Sequence, residues 1–294
     1  MPEVPSSQTE TPPGVQGDGA PSDDPPPGER GVMPFLAHLE ELRWTLIKAG
    51  SGVLIAVIVC ATFSRWIVDR VLIGPTRPDF FMYDVLALEP EGLTLLNRTI
   101  TGQFFADVGT IIVVGLIAGS PVVVFYLWRF IEPALYPNEK KGMRFSAVFA
   151  TFFFLLGAAF GYLILTPLAL QFFAQYTLQF FAQYTLSEQI VNQFDIITYF
   201  SMVTFWTMGT GLLFELPVVV YFLAKGGILT PEAMRTYRKY ALIVGLGVAA
   251  FLTPPDPISQ ILVAVPLLGL YELSIYVAKW VARTRAEELG MANE

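Results

Sequence analysis

Long apolar runs dominate the chain after residue 33, and they are too continuous for the one-sided pattern of a surface helix or strand. Between Asp107 and Arg129 lie 21 uncharged residues, enough for a helix to cross a bilayer core of about 30 Å. Four more runs have a similar length: one that ends near Phe63, and those at about 145–167, 196–224 and 258–279. The pattern predicts an all-α integral membrane protein.

One further apolar run is too short for the same interpretation. Only 16 uncharged residues separate Lys239 from Asp256, and the prolines of Thr253-Pro-Pro-Asp-Pro257 must end any helix there. A helix over residues 240–252 would be about 20 Å long at 1.5 Å per residue. We therefore expect six transmembrane helices, the last two forming a short hairpin over a locally thinned membrane.

The basic residues predict how the helices are oriented. If both termini and the 2–3 and 4–5 loops face the cytoplasm, 14 of the 18 Lys and Arg residues lie on that side. The other four all lie in the 1–2 loop, where five acidic residues offset them. By the positive-inside rule we expect cytoplasmic N and C termini.

The two ends of the chain differ in composition from the apolar middle. Residues 1–32 contain eight prolines and six acidic residues, and so little apolar surface that we expect a disordered tail. The membrane domain is predicted at 33–282, and residues 283–294 are expected to form a cytoplasmic tail.

Composition excludes several classes of function. The chain is 54% hydrophobic and 15% charged, and it has a single cysteine, Cys60, and a single histidine, His38. A disulfide framework and a His/Cys metal site are therefore not expected, and no basic surface for nucleic acid is evident. G-x-S-x-G, H-E-x-x-H and P-loop motifs are missing, so we expect neither an enzyme nor a cofactor.

Three carboxylates occupy unusual positions in the apolar part of the chain. Glu215 lies within a predicted span, where an acidic residue costs about 2.5–3.5 kcal/mol on insertion scales. It is either a functional group that faces a polar partner or a carboxylate close to the membrane edge. Asp256 either caps the following helix or has a role on the outer face, and Glu272 is expected near a helix–helix contact. A proton- or ion-coupled secondary transporter that uses Glu215 remains an alternative function.

Several motifs occur in an order that resembles the TatC family, the multispanning subunit of twin-arginine protein translocases. The motifs extend over about residues 33–282, and the combination of the first motif with Thr253-Pro-Pro-Asp256 is highly specific. They are His38-Leu-Glu-Glu-Leu-Arg43, Ser120-Pro121, Trp128 to Pro133, Leu135 to Lys141, Gly157 to Tyr162, Phe214-Glu-Leu-Pro217, Arg238-Lys-Tyr240, Thr253-Pro-Pro-Asp256 with Ser259-Gln260, and Tyr271-Glu272.

This resemblance implies a receptor for the Arg-Arg signal peptides of folded proteins. Carried over to this chain, Glu41 and Glu139 would meet the two arginines, and Leu42, Arg43 and Phe130 would frame the site. Glu215 would be an intramembrane polar group near partner helices, whereas Asp256 and Gln260 would belong to the hairpin at the outer face.

The resemblance also implies partners and a location. Single-span proteins of the TatA/TatB type would join the protein in the bilayer of a prokaryotic plasma membrane, and several copies would associate in the complex. The proton motive force would drive export of the cargo.

Overall fold

The structure is a computed structural model, and it describes residues 35–89, 93–131, 140–178, 194–254 and 257–288. The predicted tail at 1–32 and the predicted site residues Glu139 and Asp256 lie outside the described residues. The chain divides into two compact units, residues 1–41 and 42–294. The described part of the first unit is the beginning of the first helix.

Helices account for most of the described chain, and two residue pairs form a small parallel sheet in which Leu95 pairs with Phe194. π-helical turns follow α2, α5 and α6 at Ile67–Leu72, Gly161–Leu165 and Phe173–Leu178, and a 3-10 turn covers Gly74–Thr76. The elements are α1 (Phe35–Thr62), α2 (Ser64–Trp66), α3 (Phe81–Leu86), β1 (Leu95–Leu96), α4 (Gly102–Ile131), α5 (Lys140–Phe160), α6 (Thr166–Phe172), β2 (Phe194–Asp195), α7 (Ile196–Phe214), α8 (Leu216–Lys225), α9 (Pro231–Thr236), α10 (Arg238–Leu252) and α11 (Pro257–Glu288).

Five helical segments in the described residues are long and apolar enough to cross a membrane. They agree with the five long apolar runs in the sequence, although most of the helical segments extend beyond the apolar run that predicted them. The third combines α5, a π-helical turn and α6, and the fourth combines α7 and α8. They are Leu39–Thr62, Gly102–Phe130, Ala147–Gln175, Ile196–Lys225 and Ser259–Thr284.

The fifth helix in the predicted topology is indeed short. α10 has 15 residues, or about 22 Å, and it ends at Leu252, where Thr253 becomes extended ahead of the prolines. α11 turns back along α10, and the side-chain Nε2 of Gln260 in α11 donates to the carbonyl of Leu246 in α10 at 3.2 Å. This confirms the six-helix fold and the closing hairpin. Only one arm is short, however, since α11 has 32 residues.

The closest helix packing joins α5 to α7. Gly157 and Gly161 face α7, and a Cβ atom placed on Gly161 would lie 2.6 Å from the carbonyl oxygen of Trp206. This close approach places the side-chain hydroxyl of Thr210 2.7 Å from the carbonyl oxygen of Gly157 on the neighbouring helix and 2.7 Å from that of Trp206 on its own helix, so that the hydroxyl shares its hydrogen between the two acceptors. Small residues four positions apart are typical of such contacts between membrane helices.

Residues 63–89 and 93–101, which we call the cap, lie between the first two spans and contain turns rather than long helices. Three tyrosines bond to carbonyls in these turns. Tyr199 donates to Leu72 at 2.6 Å, Tyr162 donates to Val71 at 2.5 Å, and Tyr83 donates to Pro75. Burial raises the pKa of Tyr83 to about 12, so its phenol remains a neutral donor at physiological pH.

Candidate functional site

The predicted signal-peptide residues on the first helix are Glu41, Leu42 and Arg43, which lie near the start of α1. Arg43 is exposed, whereas Glu41 and Leu42 are half-buried. The carboxylate oxygen Oε2 of Glu41 is buried and has no hydrogen-bond partner in the described part of the chain. A buried carboxylate oxygen without a donor is costly, and a guanidinium would supply the missing hydrogen bond.

Phe130 is predicted to frame the same site, and it lies one residue before the end of α4. Its side chain is half-buried. Two residues earlier, the buried Trp128 packs on Phe222 of α8, with ring centroids 4.6 Å apart. This ring contact fixes the end of α4 against α8, so Phe130 is presented from a rigid helix end rather than from a loop.

Two of the predicted site residues, Glu139 and Asp256, lie outside the described residues. Whether Glu139 adjoins Glu41 therefore remains a prediction from the family resemblance. Gln260, the described member of the predicted outer-face pair, holds the hairpin closed through its hydrogen bond to Leu246.

Glu215 lies where the fourth span is interrupted, between α7 and α8. Pro217 has no N–H group to donate to the carbonyl of Leu213, so the helix ladder is interrupted there. The carbonyl of Glu215 begins the next helix by accepting from Val218 and Val219 at 2.9 and 3.0 Å. The side chain is half-buried and forms no ion pair or hydrogen bond with the described residues. It is therefore available to a polar group from outside the described chain.

A groove of about 490 Å³ lies between α4 and α7 and ends near Leu212, one helical turn before Glu215. Most of its lining is apolar, but it includes Thr110, which is 1% exposed and whose side-chain oxygen has no partner among the described residues. The groove is suited to an apolar segment that also carries an occasional polar group. The described residues contain no cluster of three or more His, Cys, Asp or Glu side chains that could hold a metal ion.

Sequence reasoning missed two side-chain interactions between helices. One is the hydrogen bond from Thr210 to Gly157, and the other is the ion pair between Arg238 and Glu272, whose atoms Nη2 and Oε2 are 2.7 Å apart. The Gly157-x-x-x-Gly161 spacing was a usable signal for the first, because it marks a close helix contact. The second pair is 34 residues apart in sequence and had no local signal.

The comparisons with known proteins agree with this architecture. A family model described as Sec-independent protein translocase protein (TatC) matches residues 37–266. The chain belongs to the TatC family. Two relatives carry the same description. The one from Blattabacterium sp. subsp. Periplaneta americana (strain BPLAN) is 32% identical over 87% of this chain and 99% of its own length, and that from Aquifex aeolicus (strain VF5) is 34% identical over 87% and 98%.

Solved structures of TatC proteins have the same fold as this chain. A crystal structure described as the twin-arginine translocase receptor TatC has a TM-score of 0.63 at 32% identity and covers 83% of this chain and 99% of its own. A second TatC crystal structure, in the detergent DDM, gives a TM-score of 0.64. The protein is a multi-pass membrane protein of a translocase family, and the transporter alternative receives no support from these relatives.

Proposed function

We propose that this TatC-family protein is the core receptor of a twin-arginine translocase, which binds Arg-Arg signal peptides of folded proteins at the plasma membrane of a prokaryote. The observation that carries the proposal is the likeness to a solved translocase receptor over 99% of that receptor's chain. The receptor role requires recognition and positioning rather than a catalytic site.

In this proposal the carboxylates of Glu41 and Glu139 bind the two arginines. A guanidinium presents a planar fork that matches a carboxylate with two parallel hydrogen bonds, which a lysine ammonium cannot form. The unpartnered Oε2 of Glu41 supports this assignment. Glu41 is only half-buried, and ion pairs near a protein surface contribute only about 1 kcal/mol each, so the arginines specify the register of the peptide more than they hold it.

The apolar segment of the signal supplies the rest of the affinity by burial. The groove between α4 and α7 is the described surface that suits it, and Glu215 lies one helical turn beyond the end of the groove. Transfer of the segment's apolar surface out of water contributes about 25 cal/mol per Å², which exceeds the contribution of two surface ion pairs once roughly 100 Å² has left water. Inside the bilayer the groove adds affinity through close packing rather than through a further hydrophobic gain.

The proposal includes the orientation and the partners. Both termini face the cytoplasm, as the distribution of basic residues predicts. Single-span TatA/TatB-type proteins contact the intramembrane helices, several receptor copies associate, and the proton motive force supplies the energy. Asp256 and the hairpin near Gln260 belong to the opposite, outer face.

Site-specific photocrosslinking in native membranes tests the receptor function. Photoreactive residues replace Leu42 or Phe130, next to the proposed carboxylates, and the membranes receive a signal peptide with Arg-Arg or with Lys-Lys. We expect crosslinks to the Arg-Arg peptide and about tenfold fewer to the Lys-Lys peptide, because lysine loses the bidentate geometry.

The control is a photoreactive residue in place of Phe81, which lies in the cap between the first two spans and is exposed. On the proposed topology it faces the other side of the membrane and forms no crosslink. Equal crosslinking of both peptides at Leu42 and Phe130, or crosslinks from residue 81 alone, would contradict the proposed site.

A further inference from the structure

α10 covers only the first half of its neighbour α11. The two helices run antiparallel, with Leu246 bonded to Gln260 near the outer turn and Arg238 paired with Glu272 at the beginning of α10. Because α10 begins at Arg238, this side of α11 has no α10 neighbour beyond Glu272. We call the uncovered stretch of α11, residues 276–283, the notch.

The notch has one open face with a definite composition. At 100° per residue, Tyr276, Lys279, Trp280 and Arg283 fall within about 100° of one another, on the same face as Glu272. The opposite face packs on α8 and α9 through Ile275, Ala278 and Val281, which are buried. Tyr276 is 68% exposed and Trp280 is 60% exposed. The open face therefore consists of two aromatic and two basic side chains.

The length of α11 places this face at the level of the lipid headgroups. The apolar span Ser259–Thr284 has 26 residues, or about 39 Å, which is about 9 Å longer than the hydrocarbon core of a typical bilayer. A helix that enters the core near Ser259 leaves it about 20 residues later, near Ala278. Tyr276 lies at this boundary, and Lys279, Trp280 and Arg283 lie just beyond it.

The notch contains two basic residues and no acidic residue, and Glu272, which lies one turn before it, is bound to Arg238. Lys279 and Arg283 form no ion pair with the side chains described as far as Thr284, and Lys239 at the start of α10 adds a further exposed cation. Basic residues at a membrane surface attract anionic lipids by about 1 kcal/mol each, and Trp and Tyr side chains favour the same depth.

We propose that the notch binds an anionic phospholipid. The phosphate of the lipid lies against Lys279 and Arg283, its glycerol region lies against Tyr276 and Trp280, and an acyl chain runs along the exposed apolar side of α10, which includes Ile243 and Val244. The lipid fills the space that the short fifth helix leaves uncovered. This site is independent of the proposed signal-peptide site, because none of its residues belongs to that site.

Native mass spectrometry of the full chain tests the proposal directly. The protein is released from nanodiscs that contain equal amounts of phosphatidylglycerol and phosphatidylcholine, and the bound lipids are counted. We expect the wild type to retain phosphatidylglycerol preferentially. The double substitution Lys279→Gln and Arg283→Gln should weaken this preference about 30-fold, which corresponds to about 1 kcal/mol per charge.

Two matched variants make the result specific. Lys279→Arg with Arg283→Lys keeps both charges and should keep the preference. Lys48→Gln with Arg129→Gln removes two exposed cations from α1 and α4 and should also keep it. An unchanged preference after neutralisation of the notch, or an equal loss in the Lys48/Arg129 variant, would overturn the proposal.

A second measurement leaves all the charges of the notch in place. Brominated phosphatidylglycerol should quench the fluorescence of Trp280 more than brominated phosphatidylcholine does, and Trp280→Phe should remove the difference. Equal quenching by both lipids would contradict the site. A third outcome would assign the notch to a protein helix instead. In that case the two brominated lipids quench Trp280 equally, and the addition of a single-span partner protein removes the quenching by both.

Discussion

The α5–α7 pair and the α10–α11 hairpin are both antiparallel helix contacts in one membrane domain, yet they are built differently. α5 and α7 meet through glycines and through Thr210, so that their backbones lie close together. α10 leaves large apolar side chains uncovered, among them Ile243, Val244 and Phe251, which are 63–77% exposed. The first pair is closely packed, whereas the second leaves large apolar side chains exposed.

The physical reason is the absence of a hydrophobic driving force between helices in lipid. Apolar side chains gain little by leaving acyl chains, so association depends on close packing and on hydrogen bonds between helices. α5 and α7 have both. α10 is joined to α11 by two polar contacts, at Gln260 and at the Arg238–Glu272 pair, and its buried Ala249 and Leu252 share an apolar cluster with α11, while its outward side is open to other molecules.

The largest effect is expected from a substitution that breaks the closer contact, between α5 and α7. In Gly161→Val the new side chain would meet the backbone of α7 at Trp206 and Thr207, and the helices must separate. We expect at least about 3 kcal/mol of destabilisation, or no folded protein, measured by thermal unfolding in detergent. The matched variant Gly247→Val in α10 has no neighbouring atom within 4 Å of the new Cβ and should unfold near the wild-type temperature. Similar losses in both variants would show that the clash with α7 is not what destabilises Gly161→Val.

An intermediate effect is expected from the hydrogen bond that crosses the same contact. Thr210→Val keeps the shape of the side chain but removes the donor to Gly157, at a cost of about 1 kcal/mol in the free energy of unfolding. Thr204→Val is the control, because Thr204 bonds only within its own helix, to Phe200 and Ser201. If the two variants were equally stable, the bond between the helices would add nothing beyond the bond within one helix.

The smallest effect on global stability is expected at the hairpin. Arg238 and Glu272 are each about half exposed, so Glu272→Gln should change the free energy of unfolding by no more than about 1 kcal/mol. Its effect should instead be local. Hydrogen–deuterium exchange should rise in the first turns of α10, while exchange in α5 and α7 stays unchanged. In the double variant Arg238→Gln with Glu272→Gln, hydrogen–deuterium exchange should match that of Glu272→Gln alone. If the increases of the two single variants added up in the double variant, the result would argue against a direct pair.

The prediction of the spans succeeded because it depended on the local composition of the chain. Crossing a bilayer requires about 20 apolar residues in succession, and such runs are visible without any knowledge of neighbours. The short fifth helix was predicted for the same reason, since Lys239 and the prolines at 254–257 limit it from both sides. The length of α11 was underestimated, because the helix continues through Lys279 and Arg283 into polar sequence.

The site was accessible to sequence reasoning only in part. Glu215 stood out because an acid within an apolar run is costly, and the structure places it at a break in the span. Glu41, Glu139 and Phe130 were named through the family resemblance alone, because charges at a membrane surface are common. The unpartnered Thr110 in the groove between α4 and α7 had no signal, since a threonine in a membrane helix usually bonds to its own backbone.

The sequence by itself determined the number and the approximate positions of the membrane helices, and the membership of the chain in the TatC family. Only the tertiary structure decided that Arg238 meets Glu272, that Thr210 meets Gly157, and that α10 leaves residues 276–283 of α11 uncovered. The reason is that insertion into a membrane depends on the residues within one helix, whereas lateral contacts depend on the shapes of helices that are far apart in sequence.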